Sequence, residues 1–309
     1  MRYKHSFPKL KSQAVLSPMV GVTDVAFRAV SMKYGAGMTY TEFVSCAGLV
    51  RGNAGPQRQI QTSPDEKPVA VQLFGSTPQD VIEAGKIVQD KFDVIDINCG
   101  CPAWKVIKTG AGSEMLRHPE KIASFVNKLV TDLNKPVTVK IRAGIDSKLI
   151  NAVEVSKLIE DAGASAIAIH GRTQKQGYRG VSDWDVIKQV KEAVNIPVIG
   201  NGDVFTPESY AKRLDESGVD AIMIARGAIG NPYIFKQMED FRKHGSYDQK
   251  DTIELFGEYL HEASKYDVEF AAIKRHALSF TKGMTGGARV RDRLSKCLSV
   301  DELRSVLEL

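Results

Sequence analysis

Residues 94–102 read VIDINCGCP, an apolar, β-branched run that stops at two thiols, a glycine and a proline. Cys99 and Cys101 flank the glycine, and Asn98 precedes them. A cysteine at its reference pKa of about 8.5 is mostly protonated near neutral pH, so it can donate a proton. No second Cys or His pair accompanies these thiols at a metal-binding spacing, so the sequence predicts no metal site.

Polar residues also end the other apolar runs of the chain. In chain order they are Pro18 and Met19, Gln72, Asn98, Lys140 and Arg142, His170 and Arg172, Asn201 to Asp203, and Ala225 and Arg226. Any one of them could simply satisfy another buried polar group, and a lone His170 is typical of a hydrogen-bonded core histidine. Lys140 differs, because an ammonium buried within VTVKI needs an anionic or strongly polar partner. We therefore predict a single occupied site lined by these strand ends.

Two glycine-containing stretches indicate an anion in that site. GNGDV (200–204) and ARGAIG (225–230) follow the last two apolar runs of the series. Backbone N–H groups and a helix N-terminus at these strands form the usual phosphate site of parallel barrels. Arg226 would add a charged, bidentate contact.

The elements that must position these residues alternate in type along the chain. Eight β-branched runs cover 14–19, 37–43, 69–74, 94–100, 137–143, 166–172, 197–203 and 221–226, with helix-like segments between them. Most runs are continuously apolar, as is typical of parallel strands buried on both faces. The repetition predicts an α/β fold, a (β/α)8 TIM barrel, and the alternative is an open, doubly wound sheet.

Helical patterns replace the strands near the C-terminus. We predict a barrel domain over residues 1–240 and a small all-helical domain over 241–309. Residues 274–296 hold seven Lys or Arg and one acidic residue, Asp292. Such a run is usually a solvated face, but it could also contact a nucleic-acid backbone.

Composition narrows the class of protein. The 309 residues are 43% hydrophobic and 26% charged, with a net charge of +5. No apolar run approaches the roughly 20 residues that span a membrane, and the basic N-terminus lacks the apolar core of a signal peptide. Four cysteines are too few for a disulfide framework. We expect a cytoplasmic protein with no membrane partner.

Several of these stretches, taken in order, resemble the tRNA-dihydrouridine synthases. They are LSPMVGVTDVAFR, DINCGCPAWKV, VKIRAG, IHGRT, IPVIGNGDV and ARGAIGNPYIF, and they extend across residues 14–235. The resemblance implies an FMN-dependent enzyme that reduces a uridine of tRNA to 5,6-dihydrouridine with NADPH as reductant. It implies that Cys101 is the catalytic cysteine. It also implies flavin contacts for Pro18, Met19, Val20, Gln72, Lys140, His170, Asn201, Gly202, Asp203, Ala225 and Arg226.

The implied reaction gives the thiol a task. Reduction of the uracil C5–C6 bond takes a hydride, which the reduced flavin would give to C6, and a proton, which Cys101 would give to C5. Lys140 would stabilise the negative charge of the reduced flavin, and we expect Cys99 to be a small buried residue in the barrel interior. The target base must leave the RNA stack. For contacts with the tRNA we assign Asn98, Lys105, Lys108, Arg172, Lys274, Arg275, Arg289 and Arg291.

Two positions depart from the family pattern. Many members have a larger residue in place of Cys99, and a basic residue is frequent in place of Trp104. The alternatives are a small-molecule FMN barrel of the dihydroorotate or dihydropyrimidine dehydrogenase type, and a non-catalytic RNA-binding protein that keeps the barrel. The sequence encodes neither the modified tRNA position nor the choice of NADPH over NADH, and we expect a monomer.

Overall fold

Eight parallel strands form one sheet in the computed structural model, which describes residues 4–309. They are β1 (Ala14–Leu16), β2 (Thr39–Ser45), β3 (Val69–Phe74), β4 (Val94–Cys99), β5 (Val137–Arg142), β8 (Ala166–His170), β9 (Val198–Asn201) and β10 (Ala221–Ile224). The order around the sheet is β1-β10-β9-β8-β5-β4-β3-β2. Hydrogen bonds from Leu16 N to Met38 O (2.9 Å) and from Gly37 N to Ala14 O (2.7 Å) join its two edges. The (β/α)8 barrel prediction is confirmed, and the open sheet is excluded.

Side chains alternate between the barrel interior and the layer beneath the helices. The lower interior holds a small apolar cluster that includes Val15, Tyr40, Val94 and Met223. A period of two then places the polar strand residues further along, such as Asn201, on the same inward face. The other face of each strand belongs to the large core between sheet and helices.

Ten helices of the described chain alternate with the barrel strands or follow the last of them. They are α1 (Val25–Lys33), α2 (Cys46–Val50), α3 (Ala54–Gln59), α4 (Pro78–Val88), α5 (Trp104–Ile107), α6 (Pro119–Asp132), α7 (Ala152–Asp161), α8 (Trp184–Ala193), α9 (Pro207–Ser217) and α10 (Ile234–His244). Of these, α4, α6, α7, α8 and α9 match helical segments of the sequence pattern. Pro78 begins α4 directly after Thr77, where its missing N–H costs no hydrogen bond. Gly218 ends α9 in the left-handed region at φ 66°, which a glycine adopts without strain.

Some local elements have no counterpart in the sequence prediction. A short antiparallel hairpin of β6 (Gly144–Asp146) and β7 (Leu149–Ile150) follows β5, and 3₁₀ turns cover Gly112–Arg117 and Arg226–Ala228. These elements lie outside the regular β–α repeat, so the period of the apolar residues gives no indication of them.

Four further helices complete the chain, and we call them the C-terminal helices. They are α11 (Thr252–Lys265), α12 (Phe270–Phe280), α13 (Gly287–Lys296) and α14 (Val300–Leu307). The predicted division at 240/241 would cut α10, so the loop 245–251 is the more natural junction. The division into two domains itself stays a prediction. Within residues 4–309 no helix has the length and apolar character that crossing a bilayer requires.

Candidate active site

A cavity of about 620 Å³ opens at the C-terminal ends of the barrel strands. Its lining includes every residue to which the sequence analysis assigned a flavin contact, together with Asn98 and Cys101. The strands bring these residues together because the carboxyl ends of parallel strands meet at one rim. A cavity of this size and position suits a cofactor or a drug-sized ligand.

Positive charge dominates the cavity wall. Lys140 Nζ contacts Asn201 Oδ1 at 3.3 Å, and within residues 4–309 no carboxylate lies within ion-pair distance of this ammonium. Burial and the neighbouring charge of Arg142 lower the pKa of Lys140 to about 8. Asn201 is itself oriented by a hydrogen bond from its Nδ2 to Met223 O (2.7 Å). This arrangement leaves Lys140 able to receive an anionic ligand.

His170 carries no charge near neutral pH. Burial lowers its pKa to about 2, and Lys140, Arg142, Arg172 and Arg226 lower it further in the same direction. Arg172 Nη1 lies 3.4 Å from His170 Nε2, and a guanidinium can only donate, so Nε2 is the acceptor in this contact. The ring therefore offers a neutral polar group to the cavity.

Asp203 orients two arginines at the far side of the cavity. Its carboxylate accepts from Arg226 Nη2 (2.9 Å) and from Arg172 Nη2 (2.7 Å). Burial would raise the pKa of Asp203, but hydrogen bonds from Arg172 and from the Ser182 N–H hold it below its ordinary value. Arg226 is also flanked by the rings of Tyr178 and Phe205, whose centroids lie 5.1 and 5.2 Å from its guanidinium carbon. Arg226 is thus held at the position predicted for a phosphate.

The turn after β9 leaves no room for a side chain at Gly202. Its φ is 137°, and a Cβ there would lie 2.0 Å from Ser182 Oγ. The indole of Trp184 donates to Gly202 O at 3.0 Å and fixes the turn from the other side. The turn therefore presents bare backbone to the cavity, which suits close approach by an anion.

The backbone around Cys101 is held on every side. Its N–H donates to Asn98 Oδ1 (2.9 Å), and its C=O accepts from Ser113 N (3.1 Å) and Ser113 Oγ (2.9 Å). The preceding carbonyl, Gly100 O, accepts from Arg142 Nε at 2.8 Å. Burial raises the pKa of the Cys101 thiol above its ordinary value, although Arg142, Lys140 and the Ala103 N–H act in the opposite direction. The thiol is therefore neutral and protonated near pH 7.

Cys99 lies on the opposite face of β4 from the one we expected. The inward positions of this strand are Asp96 and Asn98, so the period of two turns Cys99 outward into the layer beneath the helices. There it is fully buried, and its Sγ lies 3.6 Å from Met115 Sδ. Cys99 is buried and small, as predicted, but its assignment to the barrel interior is wrong.

Residues assigned to the tRNA fall into two groups by accessibility. Lys105 and Lys108 are exposed on and just after α5, beside Trp104, which is 72% exposed. Arg172 is only 2% exposed, and its donors are used by Asp203 and by the carbonyls of Arg179 and Gly180. Arg172 holds the 173–180 loop and has no head group free to reach RNA, so we no longer assign it to the tRNA.

The four basic residues assigned to the tRNA on the C-terminal helices also fall into two groups, those engaged in hydrogen bonds within the protein and those exposed. Lys274 Nζ donates to Cys297 O and Arg291 Nη1 to Thr281 O, both at 2.8 Å, so these head groups tie α12 and α13 to the chain around them. Arg275 and Arg289 are exposed. Arg275 Nε lies 3.4 Å from Gly21 O, which places it beside the loop that carries Pro18 to Val20.

One buried and one partly buried carboxylate near this site were not predicted from the sequence. Asp96 is fully buried in the barrel interior, where it accepts from Gln72 and Thr138. Asp24 caps α1 and also accepts from Tyr259 and His276 of the C-terminal helices. The available signal for Asp96 was its position two residues before Asn98, which places both on one face of a strand. Asp24 could have been predicted only as a helix N-cap, because Tyr259 and His276 are far from it in sequence.

Comparisons with known families and structures agree with the barrel and with its motifs. The sequence profile of the family described as dihydrouridine synthase matches residues 15–308. The solved structure of a histamine dehydrogenase from Rhizobium sp. 4-9 superposes with a TM-score of 0.58 at 14% identity. That superposition covers 82% of this chain and 49% of the other, about half its length, and it concerns the fold alone. No group of three or more His, Cys, Asp or Glu placed to hold a metal occurs in the described part of the chain.

Named relatives are similar to this chain over most of their own length. The tRNA-dihydrouridine synthase B of Vibrio cholerae serotype O1 is 42% identical over 239 residues, which cover 77% of this chain and 74% of that protein. The probable tRNA-dihydrouridine synthase 1 of Synechocystis sp. is 35% identical over 312 residues, with 97% and 86% of the two chains covered. The profile match and these identities together show that the chain belongs to the dihydrouridine synthase family.

Proposed function

We propose that this protein reduces uridine in tRNA to 5,6-dihydrouridine, with FMN bound in the cavity, Cys101 as the proton donor and NADPH as the reductant. The observation that carries the proposal is a protonated thiol that lines the same cavity as Lys140, an ammonium without a carboxylate partner among the described residues. A uracil in this cavity would be within reach of the thiol, and Lys140 would offer its charge to an anionic cofactor. Family membership supports the substrate class.

The residues of the cavity fit FMN. Lys140, which lacks a carboxylate partner in the described chain, would face the flavin ring, with Gln72, His170 and Asn201 as neutral polar contacts. Gly202 and Arg226 would hold the phosphate through backbone N–H groups and a charged contact. Pro18, Met19 and Val20 would lie against one face of the ring system, and Asp203 and Ala225 would border the ribityl chain. Once bound and reduced by NADPH, FMN would supply the hydride that uracil C6 takes up.

Cys101 performs the proton transfer in this proposal. Burial keeps its thiol protonated, and a general acid must carry its proton at the working pH. Asn98 lines the same cavity and keeps one N–H beyond its own hydrogen bond, so it can donate to a uracil oxygen. The remaining contacts with tRNA come from exposed cations: Lys105 and Lys108 near the thiol, and Arg275 and Arg289 on the C-terminal helices.

One experiment separates this function from its alternatives. The purified protein is saturated with FMN, reduced anaerobically with NADPH or NADH, and mixed with unmodified tRNA, free uridine, uracil or orotate. We expect rapid flavin reoxidation by tRNA only, with dihydrouridine in the product, and faster reduction by NADPH than by NADH. Reoxidation by orotate or uracil would favour a small-molecule dehydrogenase. A protein that binds tRNA but never retains FMN would be a non-catalytic binding protein.

A further inference from the structure

A continuous chain of hydrogen bonds runs through the barrel interior from Asp96 to the backbone of Cys101. Asp96 Oδ2 accepts from Gln72 Nε2 at 2.7 Å, and Gln72 Oε1 accepts from Asn98 Nδ2 at 2.8 Å. Asn98 Oδ1 then accepts from the N–H groups of Gly100 (3.1 Å) and Cys101 (2.9 Å). The carboxylate from which the chain starts is fully buried.

The carboxylate gives this chain one direction. Burial raises the pKa of Asp96 to about 6, against the opposing effects of Gln72, Thr138 and Lys140, so the group is ionised near pH 7 and can only accept. Gln72 must therefore turn its NH₂ toward Asp96 and its oxygen toward Asn98. Asn98 must in turn direct its NH₂ to Gln72 and its oxygen to the backbone. Reversal of either amide would bring two acceptors or two donors face to face in a buried site.

We propose that Asp96 is a positioning residue, which acts through Gln72 and Asn98 to hold the Cys101 backbone, and with it the thiol, in one place at the cavity rim. Arg142 and Ser113 hold the neighbouring carbonyl groups, and the Asp96 chain holds the N–H groups. The same direction leaves Gln72 and Asn98 each with one spare N–H at the cavity wall, so both offer donors to a ligand. The consequence for catalysis rests on the proposed function, whereas the hold on the backbone does not.

Amide hydrogen exchange of the flavin-free protein tests directly whether the Asp96 chain holds the backbone at Gly100 and Cys101. Asp96→Asn keeps the shape but can donate as well as accept, so the direction is lost, and we expect exchange at the Gly100 and Cys101 amides to become about tenfold faster. Cys99→Ala is the matched control, because it truncates a buried side chain on the same strand and leaves every bond of the chain intact. The double variant Asp96→Asn/Gln72→Glu moves the carboxylate from position 96 to position 72. The hydrogen-bond chain then again contains a group that can only accept, and we expect slow amide exchange to be restored.

Rapid mixing of the FMN-loaded protein tests the consequence for catalysis. We expect Asp96→Asn to slow flavin reoxidation by tRNA by about 10- to 100-fold, while reduction by NADPH changes little, since misplacement of a reacting group has an effect of this size. Unchanged exchange in Asp96→Asn, or equal acceleration in Cys99→Ala, would overturn the proposal. Faster exchange in a protein that tRNA never reoxidises would support the positioning of Cys101 and overturn only the proposed function.

Discussion

The Cys101 thiol combines burial with access to the cavity, and this combination suits a proton donor better than a nucleophile. Its pKa is raised, and the cations nearby, Lys140 and Arg142, lower it only in part. Cys101→Ala should leave FMN binding and reduction by NADPH nearly intact. Reoxidation by tRNA should slow by about 10²- to 10⁴-fold, which is the usual contribution of a positioned general acid. Stopped-flow measurement of flavin reoxidation checks this.

Cys99→Ala is the matched control for that variant. The two residues are two positions apart, but Cys99 packs against Met115 beneath the helices and lines no part of the cavity. Its truncation should lower the free energy of unfolding by about 1 kcal/mol, as expected for loss of one buried group, without slowing either half-reaction. If Cys99→Ala were the slow variant and Cys101→Ala the normal one, our assignment of the proton donor would be wrong.

Lys140 gives the flavin-free protein a distinctive pH dependence. An unfolded Lys keeps its proton to about pH 10.4, whereas the native pKa is about 8. Below pH 8 the buried charge destabilises the native state in full. Between those values the unfolded chain binds more protons, so the stability contributed by this site rises with pH.

Lys140→Met removes this titration. The variant should therefore be more stable than the wild type at pH 7 without flavin, and its advantage should shrink as the pH approaches 10. Urea denaturation of the two proteins across this range measures the difference in the free energy of unfolding. A difference that stays constant with pH would show that Lys140 does not carry the lowered pKa. With FMN present, the sign of the effect at pH 7 should reverse, because the variant loses its cationic contact.

At the scale of elements, the sequence predicts the strands well and the side-chain networks poorly. All eight strands were found because most are continuous apolar runs buried on both faces, and β3 matches its predicted span of 69–74. The polar chain of Asp96, Gln72 and Asn98 could not be predicted, because its partners lie on two strands whose register only the closed barrel sets. The prediction for Cys99 was wrong because it placed both Asn98 and Cys99 on the inward face of β4. Side chains alternate along a strand, so only one of two neighbouring residues can face inward.

The basic helix α13 carries a prediction of its own. Arg289 is exposed, whereas Arg291, two residues further on, donates to Thr281 O. Each alanine variant removes one positive charge. Arg289→Ala should weaken tRNA binding and reduce the slope of log K against log salt concentration by about 0.7 to 0.9, the value for one phosphate contact. Its thermal midpoint should stay unchanged.

Arg291→Ala should behave in the opposite way. Loss of the bond to Thr281 O should lower the thermal midpoint, and the salt slope should change less than in Arg289→Ala. Fluorescence anisotropy with labelled tRNA over a series of KCl concentrations, paired with calorimetry, measures both quantities. Equal salt slopes in the two variants would show that the exposure of Arg289 does not mark a phosphate contact.

At the scale of the whole molecule, Asp24 joins the barrel to the C-terminal helices. It caps α1 through the Phe27 N–H (2.9 Å) and accepts from Tyr259 Oη and His276 Nε2, both at 3.1 Å. Burial would raise the pKa of Asp24, but the hydrogen bonds and charge of His276 hold it below its ordinary value. The ring of His276 also stacks on Phe27, with centroids 5.0 Å apart. Because these contacts link α1 of the barrel to α11 and α12, we expect the two parts to unfold in one cooperative transition.

Asp24→Ser tests that coupling because serine can still cap α1 but is too short to reach the C-terminal helices. The variant leaves the buried donors of Tyr259 and His276 without an acceptor, which should cost about 2 to 5 kcal/mol of unfolding free energy. Trp184, buried beside Gly202 on the barrel, reports the barrel by fluorescence in a Trp104→Phe background, and circular dichroism reports the helices of the barrel and the C-terminal helices together. We expect both signals to shift to the same lower urea midpoint. If the circular dichroism transition instead became biphasic, with the Trp184 transition in its original place, the C-terminal helices would unfold separately and would form a domain of their own.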